Sequence, residues 1–542
     1  MKFDPAALIG IFGLIVPEMI LVAAACLFFL GGAYGGSRRL WGTLSLVALA
    51  AAGLALAVTA MPHGTSLLEW PRALWTLLGR AGTESFPISS EGNRPVYLAA
   101  IIVDRLALFI KAVALAGGVI LVLVSWDEAA KDAAGEHFAC LLLMVAGLSL
   151  TGCANELVTL FLALELISIP TYVLLYLGRS DQTGQEATVK YFFLSILSSA
   201  FLLFGFSYLY GLAGTTNLAA ILQSGRSSSW GQLSEMALVA LVMISAGLGF
   251  RITAVPFHFY APDVYQGTSL SNAALLAFIP KVAGFTAFIR LLGFISAGEN
   301  ESGLVLGEQG PMLFYILAAV TMSIGNLLAL LQNNLKRLLA YSSVAHAGYM
   351  LMGLSIAPML HRDSLPGGID AILFYLVAYG SMTIGAFAVL AALNTPERPV
   401  ETVDDLAGLS RSHPMLAILM AVCLFSLIGV PLTAGFAGKF LLFMGAIMPT
   451  LDAYPWMFRV LALVAAINAA VGGWYYLRVL AVMFLRTPVK ALPPSRSRAA
   501  IAGAMLCVIL TLFFGIYPMP LGRITRSIIA SPVPAAAVRA EH

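Results

Sequence analysis

Residues 245–267 read SAGLGFRITAVPFHFYAPDVYQG. Apolar residues run up to this stretch from Met236, so the segment enters a bilayer as a helix. It then carries Arg251, His258, Asp263 and two prolines. A charge in the middle of a span costs about 2.5–3.5 kcal/mol on insertion scales, and it lines a pathway or meets a partner. Pro256 removes a backbone hydrogen bond inside the same apolar run. A second stretch repeats the pattern: LIGVPLTAGFAGKFLLFMGAI (427–447) carries Pro431 with Gly429, Gly435 and Gly438 around it, then Lys439. Two interrupted apolar helices, five spans apart and each with a buried cation, point to an inverted repeat with an ion path at the breaks.

The whole chain agrees with a membrane setting. Of 542 residues, 60% are apolar and 11% charged. A soluble domain carries about 25% charged and 45–50% apolar residues, so this chain lacks the polar surface to face water and reads as an all-α polytopic membrane protein. The net charge of +3 comes with no basic stripe interleaved with aromatics, which argues against nucleic acid as a partner. Cys26, Cys140, Cys153, Cys423 and Cys507 are scattered through apolar runs with no CxxC spacing, so they read as small buried hydrophobes rather than metal, cluster or disulfide residues. The N-terminal MKFDPAALIG balances its one lysine with Asp4, and its apolar run reaches Leu30; it reads as a first span, not a cleaved signal.

At about 20 apolar residues per crossing, fourteen candidate spans appear: 6–30, 40–61, 97–124, 138–154, 156–177, 186–211, 235–258, 268–293, 311–331, 337–357, 369–393, 414–447, 456–485 and 499–521. Residues 62–95 read as an exposed loop between the second and third of these spans, and 522–542 as a polar tail. Loops after odd-numbered spans hold more Lys and Arg (Arg38, Arg39, Lys131, Lys336, Arg337 and Arg411 among them), so the positive-inside bias puts both termini on the non-cytoplasmic face.

Few charges fall inside these spans. Glu165 lies in the middle of LVTLFLALELISIPTYVLLYL (157–177), and intramembrane acids are functional by default. Lys281, just after Pro280 in SNAALLAFIPKVAGFTAFIRLL (271–292), and Lys439 are too deep to snorkel. Glu186 and Lys190, four residues apart, share a helix face; Lys190 either pairs there or snorkels. His346 in YSSVAHAGYM (341–350) suits a proton relay or a single buried hydrogen bond equally. Lys111 sits less than two turns inside the third span and is expected to snorkel.

Five stretches taken together, PFHFYAPDVYQG (256–267), LALELISIPTYVLLY (162–176), EATVKYFFLSILSSAFLLFG (186–205), LLAYSSVAHAGY (338–349) and GVPLTAGFAGKF (429–440), resemble the antiporter-like subunits of bacterial complex I, the proton-pumping NADH:quinone oxidoreductase. APDVYQG resembles the subunit N branch more than the other branches or the Mrp-type sodium/proton antiporters. The resemblance covers about residues 100–485. It implies fourteen helices, with spans 4–8 (138–293) and 9–13 (311–485) as inverted five-helix repeats and spans 7 and 12 broken. Residues 1–125 would supply helices 1–3, and 499–521 a fourteenth.

By motif it also implies that Glu165 is the family's key glutamate, Lys281 its central lysine and Lys439 the lysine of the second broken helix. Glu186 and Lys190 would be the pair on span 6, with His258 and His346 on the hydrophilic axis. No nucleotide loop, flavin or haem motif or cluster cysteines are present. NADH, FMN, iron–sulfur clusters and quinone are therefore expected in partner subunits, and a bacterial inner membrane is the expected location.

Two positions depart from the family pattern: Arg251 stands where GLGFK usually has lysine, and Tyr260 where tryptophan is usual. Tyrosine is a mild change at an interface. A desolvated lysine can release a proton, whereas guanidinium stays charged, so Arg251 reads as a fixed charge paired with Glu165.

Overall fold

The computed structural model describes residues 14–59, 100–178, 181–218, 220–221, 234–292, 309–357, 368–395, 399–447, 455–487 and 497–529. The 62–95 loop and residues 6–13 of the first candidate span lie outside them. The helices are α1 (Val16–Gly32), α2 (Arg38–Thr59), α3 (Arg105–Ser125), α4 (Ala134–Cys153), α5 (Leu157–Gly178) and α6 (Gln182–Ala213). Then come α7 (Ser234–Arg251), α8 (Ala261–Gly267), α9 (Leu270–Leu292), α10 (Gln309–Leu330), α11 (Leu335–Ile356) and α12 (Ile369–Leu393). The last five are α13 (Pro414–Ile428), α14 (Ala434–Ile447), α15 (Pro455–Leu485), α16 (Arg498–Ile516) and α17 (Met519–Ile529). Among the described residues, ten helices are long and apolar enough to cross a membrane. The fold is an all-α, multi-span membrane bundle.

Local chemistry sets the helix ends. Asp104, Asp181 and Asn334 accept hydrogen bonds from Ala107, Gly184 and Arg337 at the starts of α3, α6 and α11. Helices α9 and α12 are enclosed almost all round, while α6 and α10 leave half their surface outward. A helix apolar on every face belongs in a bundle centre, and α9 carries Lys281 there.

Both apolar stretches with proline are broken. The first helix stops at Arg251, the chain turns through Thr253 at φ +60°, and α8 begins at Ala261. Val255 N, freed by the break, donates to Thr321 Oγ1 on α10 at 3.1 Å. The second stops at Ile428 with Gly429 at φ +95°, and Leu432 at φ +71° precedes α14. The 235–258 and 414–447 segments are therefore not single continuous helices.

Three expectations are corrected by the packing. Lys111 does not snorkel: it is 1% exposed, its Nζ stands 2.8 Å from Glu18 Oε1, and it also donates to Leu14 O. Its partner comes from α1, 93 residues away, so a charged group near a helix end is fully enclosed. Cys26 is exposed while the other four cysteines are buried. The segment read as a polar tail begins inside an amphipathic helix, because Leu521 and Thr525 of α17 are buried while Arg523 and Arg526 face out; residues 530–542 lie outside the described residues.

A candidate proton-transfer axis

The axis starts on α5. Pro170 falls inside this helix, and Glu165 lies five residues before it. Arg251, the last residue of α7, reaches across to α5. Its Nη2 donates to Glu165 Oε1 at 2.9 Å, and its Nη1 donates to Ser168 Oγ at 2.6 Å and Leu164 O at 3.1 Å. Ser199 on α6 donates to the same Glu165 oxygen at 2.6 Å. The carboxylate thus has two donors, and the guanidinium is held by a carboxylate, a hydroxyl and a backbone carbonyl. This is the pair expected of a fixed charge beside Glu165. Tyr260 belongs to the same neighbourhood rather than an interface: it is buried, stacked on Phe250 at 4.3 Å, and donates to Phe250 O at 2.9 Å.

Lys281 sits at the centre of α9 with no exposed surface. Its ammonium donates to Ser343 O on α11 and lies 5.1 Å from the Tyr379 ring centroid. No carboxylate pairs with it among the described residues. The carbonyl and the π-face are the partial charges that hold it. Tyr379 OH donates in turn to Ser343 Oγ at 2.8 Å.

His346 is three residues further along α11. Its Nδ1 is 2.6 Å from Tyr375 OH and its Nε2 3.2 Å from Tyr476 OH, which also contacts Ser342. Every polar atom of the ring therefore faces a hydroxyl, an arrangement open to proton exchange in either direction.

Lys439 extends the series on α14. Its Nζ donates to Leu427 O at 2.8 Å and Ile428 O at 3.0 Å, the carbonyls that the break leaves free at the end of α13. A cation at a helix C-terminus is stabilised by the partial negative charge there. Its ammonium also lies 5.0 Å from the Tyr349 ring centroid, and Tyr349 OH accepts from Asn326.

Three expected residues stand apart. Lys190, 40% exposed on α6, pairs with Glu186 at 2.5 Å and with Asp263 of α8 at 2.9 Å. Asp263 also takes Arg337 of α11 at 2.6 Å, so one carboxylate ties α6, α8 and α11 together. His258 lies in the first break with Nδ1 unpartnered, and among the described residues no hydrogen bond joins its ring to Lys281 or Glu165. Reading the sequence missed Asp263, although it stands in the decisive stretch. It also missed Tyr375 and Tyr379, whose i, i+4 spacing puts both on one face of α12, and Tyr476. Glu18 satisfied the same intramembrane-acid rule as Glu165 and was missed as well.

Comparison with known proteins supplies the family. The family described as NADH:quinone oxidoreductase/Mrp antiporter, TM, matches residues 154–486, from the end of α4 to the end of α15. The chain belongs to this family. It is homologous to NADH-quinone oxidoreductase subunit N: the protein of that name from Anaeromyxobacter sp. is 38% identical over 446 residues, covering 78% of this chain and 83% of that one. A chain of respiratory complex I from Thermus thermophilus with bound aureothin is 28% identical with a TM-score of 0.71, covering 93% of this chain and 97% of that chain. A chain of the Mrp complex from Dietzia sp. is 19% identical with a TM-score of 0.71, covering 95% of this chain and 52% of that chain, and shares the fold. All the residues of the axis fall within the family match.

Proposed function

We propose that Glu165, Arg251, Lys281, His346 and Lys439 form the proton-transfer axis of this subunit. The chain is a membrane subunit of NADH:quinone oxidoreductase that takes part in proton translocation, coupled to quinone chemistry elsewhere in the complex. Among the described residues no three His, Cys, Asp or Glu side chains group as a metal site. NADH, FMN, iron–sulfur clusters and quinone belong to partner subunits, and the chain associates with other membrane subunits in the inner membrane.

The observation that carries the reading is the run of buried titratable groups bridged by hydroxyls. Lys281, Ser343 and Tyr379 form one hydrogen-bonded group and Tyr476, His346 and Tyr375 a second; between them the His346 ring packs against Tyr379 at 5.5 Å and against Tyr349, whose ring lies beside Lys439, at 5.8 Å. Arg251 stays charged and cannot carry the proton; it sets the field at Glu165. Loosening that pair by a neighbouring subunit's movement changes the charge felt by Lys281. One pKa unit is about 1.4 kcal/mol and one charge moved through 100 mV about 2.3 kcal/mol, so changes of a few units suffice to load and unload a lysine. Lys281 is the central relay and Lys439 passes the proton to the exit side. His258 is not assigned to the central relay. Glu186 and Lys190, with Asp263, act at the rim.

The breaks at Arg251–Ala261 and Ile428–Ala434 support a fourteen-span arrangement with repeats at 138–293 and 311–485, flanked by helices in 1–125 and 499–521. Both termini lie on the non-cytoplasmic face in this reading. Glu165→Gln and Lys281→Ala test it. Each is expected to leave the assembled complex intact and to lower quinone-linked turnover and pumping strongly. Normal pumping by the assembled variants rules the axis out.

A further inference from the structure

Glu128 follows α3, outside the membrane-spanning helices, and nothing above uses it. It is half-buried, and its Oε2 accepts from Ser271 N, at the start of α9, at 2.7 Å. Burial pushes its carboxyl up from the ordinary carboxylate range, opposed by the Ser271 hydrogen bonds, the Lys336 charge and the Asn394 side chain. Lys336 in turn donates to Thr268 O at 2.6 Å.

Between α8 and the first turn of α9, three buried polar atoms lack a well-formed hydrogen bond among the described residues. Thr268 Oγ1, Asn272 Oδ1 and Tyr265 OH are each fully buried, and among the described residues none has a partner of good hydrogen-bond geometry. Thr268 and Asn272 converge on Gly178 at the end of α5, where an added Cβ would come within 2.8 Å of Asn272 Nδ2 and 3.1 Å of Thr268 Oγ1. Tyr265, one turn before Thr268, interacts with the Ser343 and Tyr379 side chains. Those are the residues that hold Lys281. Buried polar atoms left over in this way are satisfied by ordered water.

We propose that Glu128 is the proton-uptake residue of this subunit, delivering protons to Lys281 through water held by Thr268, Asn272 and Tyr265. The inference rests on Lys281 being the central relay. Glu128 takes a proton from solvent on the face that the positive-inside bias makes cytoplasmic. Its O–H bond then breaks as the first held water gains a proton, and each water or hydroxyl gives one proton and receives one. The series ends with a new N–H bond on a neutral Lys281. Glu128 is ready to be loaded again.

The test uses the assembled complex in sealed membrane vesicles, comparing Glu128→Gln, Thr268→Val and Lys281→Ala with the parent. Glu128→Gln is expected to cut NADH-driven pumping severalfold, with Glu128→Asp recovering part of it. A merely structural glutamate gives the opposite order, because glutamine keeps the length and the Ser271 hydrogen bond and aspartate does not. Thr268→Val, close in shape, is expected to slow pumping while leaving assembly unchanged, and it reads the route even where Glu128→Gln fails to assemble. Normal pumping by either assembled variant, with Lys281→Ala inactive, overturns the uptake route alone. Normal pumping by Lys281→Ala overturns the axis on which it rests.

Discussion

Arg251 holds three acceptors with two nitrogens, and they are not equivalent. Nη2 meets the Glu165 carboxylate, while Nη1 fastens Ser168 and the Leu164 carbonyl to the end of α7. A lysine keeps the positive charge and most of the reach but not the fork. Arg251→Lys is therefore expected to retain much of the pumping. Arg251→Ala is expected to do worse than a loss of packing, because it strips the Glu165 carboxylate of its counter-charge. Pumping assays on the two variants check this; equal activity would make the arginine structural. At Lys439 the logic reverses. Lys439→Arg puts a group that cannot release a proton against the Leu427 and Ile428 carbonyls, so pumping should largely disappear while assembly survives. A third pair lies off the axis. Removing one partner of a buried ion pair costs about 3–5 kcal/mol, so Glu18→Gln should lower the thermal stability of the complex through the unpaired Lys111 ammonium. Glu18→Leu combined with Lys111→Met should recover part of that loss.

The two breaks are built from different local chemistry. In the first, the turn is held from outside by Thr321, and Arg251 ends the helix. In the second, Gly435 N donates to Ser426 Oγ at 3.0 Å, and a Cβ at Gly435 would meet Ser426 O at 1.9 Å. Side-chain movement cannot relieve a clash with backbone. Gly435→Ala should therefore push α14 off the end of α13, carry Lys439 away from its two carbonyls, and lower pumping and stability together. Comparing it with Phe436→Ala, a change at an exposed neighbour, separates this effect from a general loss of stability. Proline and glycine made the breaks legible in the sequence, since they act through the local backbone. Glu165, Lys281 and Lys439 were legible because charge is costly in hydrocarbon wherever it falls. The partners were not. Lys111 and Glu18 are 93 residues apart, and His346 and Tyr476 are 130 apart. Residues this distant along the chain meet only through the packing of α1 and α3 on α4 and of α11 beside α15. A tyrosine in an apolar run carries no mark of whether its hydroxyl faces a histidine or a lipid.

On the scale of the whole molecule, the proposed transfer axis draws its energy from quinone chemistry elsewhere in the complex. Helices α9 and α12 are enclosed, whereas α6 presents Phe193, Phe204 and Tyr210 outward and α10 presents Ile316 and Leu327. These faces meet lipid or the other membrane subunits, and in the proposed mechanism it is through such contacts that redox chemistry elsewhere reaches Glu165 and Lys281. The Mrp-type fold shares the architecture, so architecture does not separate a redox-driven subunit from a sodium/proton antiporter. Partner content does. Tagged and extracted in a mild detergent, the chain is expected to bring flavin and iron–sulfur absorbance with it and to sustain NADH-dependent quinone reduction. That activity should fall with Lys281→Ala while the absorbance stays, because the variant alters the proton path and not the redox centres. A preparation with no flavin or cluster absorbance that exchanges sodium for protons in vesicles would assign the same axis to antiport. The lysines would keep their roles, and the energy would come from an ion gradient.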